Sequence, residues 1–242
     1  MPYSRHPACN IPDDLNQKLW RYLDFTKFVS MLEEKALFFP KLSSLSDPLE
    51  GFLTKPTVEK FRNIPEGLTA EEAAKRRTIG EHNLSMMKTA RDLLYVSSWH
   101  ANNHESIAMW GLYLKSGEGV AICSSIERMI ESFANTKDEI HIGRVDYVDY
   151  EKEEIPWHNA FYLALHKAKS FEHENEIRVI VMSPDNLPGK LVPVDLAMLI
   201  DKVFVAPNSP AWIHDLIKKV ITKYRLNEDI IHHSGSEQKP MY

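Results

Sequence analysis

The sequence predicts a single compact α+β domain built on a mixed or antiparallel sheet flanked by helices. Three observations carry that expectation. The chain has 242 residues, which at roughly 150 residues per domain fits one large domain, or one with an insertion, better than two halves. Nothing in it repeats at a fixed period. Short strand and helix patterns also follow one another in irregular order, whereas a doubly wound sheet needs them to alternate.

Residues 1–18, rich in proline and polar side chains, read as a flexible arm, and residues 236–242 as a tail. Between them, residues 19–235 form the domain, with a charged helical insertion at about residues 68–94. Order begins at Leu19-Trp20-Arg21-Tyr22, a strand-like run with an arginine between aromatics. A helix follows in which Phe25, Phe28 and Leu32 share a face and Asp24 stands at the cap. Leu37-Phe38-Phe39 is a second strand, and Ser43 to Pro48 is a turn by composition.

Thr69 and Glu72 make a capping box for a heavily charged helix over about residues 70–94, with Gly80 its weak point. Tyr95 to Trp99 reads as a strand. Residues 104–115 read as a helix with Ile107, Trp110, Gly111 and Leu114 on one side, stopped by Gly117. Gly119 to Cys123 is a strand, and Ser124 with Glu127 caps a helix to about Ala134. Ile140 to Val148 alternates as one longer strand, Trp157 to Lys169 has a helical period, and Ile177 to Met182 is a β-branched strand. After a Pro-Gly turn come strands at Leu191 to Val194 and Lys202 to Ala206, a helix from about Ala211 to Tyr224, and a short terminal run at Asp229-Ile230-Ile231.

Composition narrows the function classes. With 29 Lys+Arg against 34 Asp+Glu the net charge is −5, which disfavours a duplex nucleic-acid partner. Two cysteines, Cys9 and Cys123, build neither a disulfide framework nor a four-cysteine zinc site. Reduced thiols, and no apolar stretch long enough for a signal peptide or a membrane span, lead to the expectation of a cytoplasmic protein with no membrane association. The nine glycines form neither GxGxxG nor a Walker loop, so the common phosphate cradles are missing.

Three polar spots interrupt otherwise apolar strands. Arg21 lies between Trp20 and Tyr22, Ser97 and Ser98 precede Trp99, and Glu174 and Glu176 precede Ile177-Arg178-Val179. Strand alternation puts Glu174 and Glu176 on one face. Two neighbouring carboxylates resist joint ionisation and titrate as a unit unless Arg21, Lys167 or Arg178 lies near. The competing structural explanation is an exposed edge ladder of Glu174, Glu176 and Arg178.

The stretch from Trp99 to Ser106 is a second candidate. His100 and His104 would chelate a metal only on one helical turn, and Asn102-Asn103 reads as loop, so no metal is expected. Glu105 and Ser106 suit a first helical turn, and Trp110 and Tyr113 suit core packing. A third candidate is Asp47-Pro48-Leu49-Glu50, where Asp47 also fits a simple turn cap. His232 and His233, beside the polar tail, carry no catalytic expectation.

Several of these segments together resemble a bacterial family, domain of unknown function 2971. They are Leu19-Trp20-Arg21-Tyr22, residues 44–51, Ser98-Trp99, Glu105-Ser106, Met109 to Tyr113, Gly119 to Ile122, Gly143 to Tyr147, Lys167, and Phe171 to Arg178. The chain is also similar, more distantly, to ADP-ribosyltransferases of the Arg–Ser–Glu type. Arg21, Ser97-Ser98 and Glu174-Asn175-Glu176 follow in that family's order, although Ser-Ser-Trp replaces its Ser-Thr-Ser pattern. That second resemblance implies a split antiparallel sheet holding NAD as substrate. Arg21 would take the phosphate or ribose, a serine the nicotinamide ribose, and Tyr22, Trp99 or Trp110 the nicotinamide ring. Glu176 would stabilise the oxocarbenium-like transition state.

The expected function is therefore an NAD-using ADP-ribosyltransferase or NAD glycohydrolase, a toxin or phage-defence effector with a nucleotide ligand and a protein acceptor. One alternative is a non-catalytic ligand- or protein-binding module. Another is a metal-dependent hydrolase.

Overall fold

The protein is described by a computed structural model covering residues 2–114 and 117–235. Strand β1 (Lys18–Asp24) runs into helix α1 (Phe25–Glu34) and strand β2 (Ala36–Pro40). Helices α2 (Lys55–Arg62) and α3 (Ala70–Arg91) follow, then β3 (Leu94–Ala101), α4 (Ile107–Tyr113), β4 (Gly119–Ser125) and α5 (Ile126–Ser132). Next come β5 (His141–Arg144), β6 (Asp146–Val148), α6 (Phe161–Leu165), β7 (His166–Ala168) and β8 (Glu176–Met182). The chain closes with β9 (Gly189–Pro193), α7 (Leu196–Leu199), β10 (Lys202–Val205), α8 (Ala211–Lys223) and β11 (Ile231–His233).

Seven strands form one sheet in the order β11-β10-β4-β1-β3-β8-β5, antiparallel except for the β10–β11 pair. Two small sheets, antiparallel β2–β9 and parallel β6–β7, complete a mixed architecture. Period-2 alternation divides the residues of the large sheet between two faces. Leu19, Tyr95, Trp99, Ile122, Ile177, Val179 and Val203 pack with α1, α5, α7 and α8 into the main core. On the opposite face there are two smaller clusters. Leu94, Val96 and Ile180 meet α6, while Trp20, Tyr22, Ala121 and Cys123 meet α4. The polar residues Ser98, His100, Glu176 and Arg178 fall between those two clusters, which places the site.

Several expectations are corrected. The arm expected to be flexible is packed: Tyr3 bridges to Ile140, Ser4 N donates to Ile140 O at 2.9 Å, and Ala8 and Cys9 are buried. The stretch from Ile140 to Val148 divides into two strands with different partners, β5 on β8 and β6 on β7. Alternation reports a period, but it does not name a partner. The 157–169 helix shrinks to α6, because the chain turns extended at His166 and carries Lys167 into a buried charge cluster. Tertiary pairing overrides a helical pattern there.

At the caps, Ser125 rather than Ser124 accepts from Arg128 N, while Ser124 Oγ donates to Leu199 O at 2.6 Å. Asp24 holds the cap position of α1 without a side-chain capping bond. The 104–115 helix starts later, at Ile107 behind an Ser106 cap. The tail at 236–242 lies outside the described residues.

The Thr69–Glu72 capping box is present at the head of α3. Gly80 is a contact point, not a weak point, since a Cβ there would lie 2.2 Å from the Phe61 carbonyl oxygen at the end of α2. Gly80→Ala is therefore expected to lower stability by about 1–3 kcal/mol despite alanine's better helix propensity, read as a fall in the denaturation midpoint.

Candidate functional site

Strands β1 and β3 pair only at Leu19–Ala101 and Trp20–His100, whereas β1 stays paired to β4 over seven residues. The two strands fork beyond Trp20, and β2 approaches β3 instead, through the Lys41–Tyr95 bridge. A cleft of about 580 Å³ lies at this fork, lined from β1, β2, β3, α4, the 45–50 turn and the segment 167–178. Arg21 spans the fork. Its guanidinium donates to Ser97 Oγ of β3 and to Phe38 O of β2, the latter at 3.3 Å, and lies 5.6 Å from the Trp99 ring centroid. Burial lowers its pKa to about 10, with the nearby Tyr113 acting in the opposite direction.

The floor of the cleft is a buried charge cluster. Lys167 Nζ reaches Glu174 at 2.6 Å, Glu176 at 2.7 Å and Glu50 at 3.7 Å. Arg178 meets Glu50 at 2.5 Å and Glu176 at 2.8 Å. Three carboxyl groups thus face two cations, and the excess shows in their titration. Burial, a hydrogen bond shared with Glu176 and the Glu176 charge lift Glu174 to about 7 against the pull of Lys167. Burial also opposes ionisation of Glu176, but the Arg178 charge, the bond from Glu174 and Lys167 outweigh it and hold Glu176 well below the usual range. Of the pair, Glu174 is the member that takes up a proton first as pH falls.

Local structure explains why these carboxyls meet. Glu174 ends a 3₁₀ turn (Lys169–Glu174), and Asn175, at φ 39° and ψ 62°, turns the chain into β8. Asparagine tolerates that left-handed region. The 2.8 Å bond from Ala101 N to Asn175 O ties the bend to β3. The exposed edge ladder is overturned, because β8 is an interior strand between β3 and β5, with Glu176 and Arg178 at 3% and 1% exposure.

Of the residues expected at a site, Trp20, Arg21, Tyr22, Asp47, Glu50, Ser98, Trp99, Lys167, Glu174, Glu176 and Arg178 all line the cleft. Ser97 lies behind it, its hydroxyl accepting from both Arg21 and Trp99 Nε1. Glu105, Ser106 and Trp110 do not line it. Glu105 accepts from Trp110 Nε1 at 3.0 Å and Ser234 Oγ at 2.8 Å, and Ser106 caps α4 and donates its N–H to Tyr22 Oη. These are struts that seat α4 on the sheet.

Sequence reasoning missed Phe38, Tyr113 and Phe171 as lining residues, and it placed His100 in the stretch after the strand and not on the strand itself. Alternation along β3 puts His100 on the same face as Ser98, a signal that was available. Tyr113, 43% exposed, is pushed up to about 12 by burial and by the charges of Glu174 and Glu176.

His100 lies on β3 and His104 in an exposed loop, so no helical turn joins them. No cluster of three or more potential ligands for a metal occurs among the described residues. Cys9 and Cys123 are free and buried, and burial raises both thiols to about 11, far from thiolate reactivity at neutral pH. No described helix is long and apolar enough to cross a membrane. Comparison of the chain with protein-family models, curated proteins and solved structures returned no match.

Proposed function

We propose that this protein cleaves the N-glycosidic bond of NAD, releasing nicotinamide and passing ADP-ribose to water or to an acceptor. The observation that carries the reading is the carboxyl pair Glu174 and Glu176, shifted in opposite directions from the ordinary carboxylate range on the floor of a cleft spanned by Arg21. Pairs of titratable groups whose environments push their pKa values apart mark acid–base sites.

In this reaction the C1′–N bond breaks and its electron pair leaves with nicotinamide. Glu176, anionic and fixed by Lys167 and Arg178, provides the negative field that favours the oxocarbenium-like sugar. Its own oxygens are taken up by those cations, so Glu174 is the carboxyl that touches substrate. Glu174 accepts the proton of the attacking hydroxyl as the new C1′–O bond forms, a task suited to a pKa near 7. Arg21 binds the pyrophosphate, and Tyr113, exposed beside the carboxyl pair, offers a face to the nicotinamide ring.

The test is incubation of the purified protein with NAD and detection of free nicotinamide. Release is expected, with Arg21→Ala lowering kcat/KM about 10- to 100-fold, the scale of a lost hydrogen bond between charged groups. No release from the folded wild-type protein overturns the proposal.

One observation favours a second reading, a non-catalytic ligand-binding module. Lys167, Arg178 and Glu176 satisfy one another internally, which suits a structural cluster. NAD would then raise the melting temperature without yielding nicotinamide.

A further inference from the structure

Two acceptors buried at the cleft have neither a hydrogen-bond nor an ion-pair partner among the described residues, and together they specify what a ligand must offer. His100 is 9% exposed, and its Nδ1 lies 2.6 Å from the Glu174 carbonyl oxygen. A carbonyl only accepts, so Nδ1 carries a proton, and in the imidazole form Nε2 is then a lone-pair acceptor. That Nε2 is buried and has no hydrogen-bond partner among the described residues. Asp47 repeats the pattern, Oδ1 accepting from Leu49 N at 3.0 Å while Oδ2 is buried and has no hydrogen-bond partner among the described residues. Both residues line the cleft. A desolvated acceptor left unpaired costs about 1–3 kcal/mol, which a donor on a ligand recovers.

The chemistry of that donor follows from the rest of the lining. Lys167 and Arg178 already occupy the carboxyl groups of Glu50, Glu174 and Glu176, so the two acceptors left over are matched by a neutral group with two hydroxyl hydrogens. Arg21 and Lys27 come from the β1–α1 side, while His100, Asp47 and Glu174 come from β3, the 45–50 turn and the residues before β8. An anionic group is therefore served from one set of elements and a hydroxylated group from another. We propose that the cleft recognises the vicinal diol of a ribose joined to a phosphate, with His100 Nε2 and Asp47 Oδ2 each accepting one hydroxyl hydrogen. This rests on the NAD reading above and deepens it, making the nicotinamide ribose the element that is read.

The experiment measures binding, not turnover. Calorimetry would compare carba-NAD, which cannot be cleaved, with its counterpart lacking the 2′- and 3′-hydroxyls on the nicotinamide side. Wild-type protein is expected to bind the diol compound at least about tenfold more tightly. His100→Phe should erase most of that difference, and Arg21→Ala should weaken both compounds equally. Equal wild-type affinity for the two compounds, or undiminished discrimination by folded His100→Phe, overturns the inference and leaves the NAD reading standing. Binding of neither compound removes the NAD reading and this inference with it. Should His100→Phe fail to fold, the ¹⁵N resonance of wild-type His100 Nε2 decides. It must move with the diol compound and stay put with the dideoxy one.

Discussion

Glu176→Gln is expected to cost about 3–5 kcal/mol of stability, measured by chemical denaturation near neutral pH, because it removes one partner from a buried ion cluster. Glu176 is 3% exposed and serves both Lys167 and Arg178. A neutral amide leaves Glu50 and Glu174 as the carboxyls facing those two cations. Without the Glu176 charge beside it, Glu174 should ionise and return part of the loss, so its apparent pKa is expected to fall from about 7 in the variant. NMR titration of the Glu174 carboxyl checks this directly. An unchanged denaturation midpoint would mean that the cluster is solvated and that its charges are not coupled. A purely catalytic role for Glu176 would leave the fold intact in Glu176→Gln. Its burial against two cations removes that expectation, and lost activity in this variant cannot be assigned to chemistry alone.

Glu174→Gln separates the two roles more cleanly. The folded-state pKa of Glu174, about 7, lies above the ordinary value of 4.5. The folded protein therefore holds more protons between those values, and the stability associated with Glu174 falls as pH rises through that window. The shift corresponds to an upper scale of roughly 3 kcal/mol. Glu176 acts in the opposite sense: its pKa is depressed, so its contribution is present above the usual carboxylate range and lost as pH falls. Wild-type stability should consequently peak on the acid side of neutrality. Glu174→Gln should abolish the decline from about pH 4.5 to 7, so the variant gains on the wild type as pH rises. In the nicotinamide assay the wild-type rate should rise through pH 7, and Glu174→Gln should lose about 10²- to 10⁴-fold, the usual contribution of a general base. A variant with wild-type rate and an unaltered pH profile would remove Glu174 from the chemistry.

Much of the fold was legible because its signals are local. The β-branched run from Ile177 to Met182, the Thr69–Glu72 box and the strand-like segments at 19–22, 95–99 and 119–123 each specify an element through the side chains of a few neighbours. The same locality explains the misses. Ile140 to Val148 alternates well enough for one strand but serves two sheets, and Lys167 sits in a helical pattern yet lies on a strand, drawn there by carboxylates distant in sequence or across a turn.

The sequence by itself determined the α+β class, the interruption of apolar strands by Arg21, Ser98, Glu174 and Glu176, and the absence of a Gly-rich phosphate cradle. Only the tertiary structure decided that those residues share one cleft, that burial and neighbouring charges shift Glu174 upward and Glu176 downward, and that His100 and Asp47 lack donors among the described residues. The physical reason is that residue type and period are properties of a short stretch of chain. A shifted pKa or an unpaired acceptor depends on burial and on charges that only a strand fork and a left-handed Asn175 bring together.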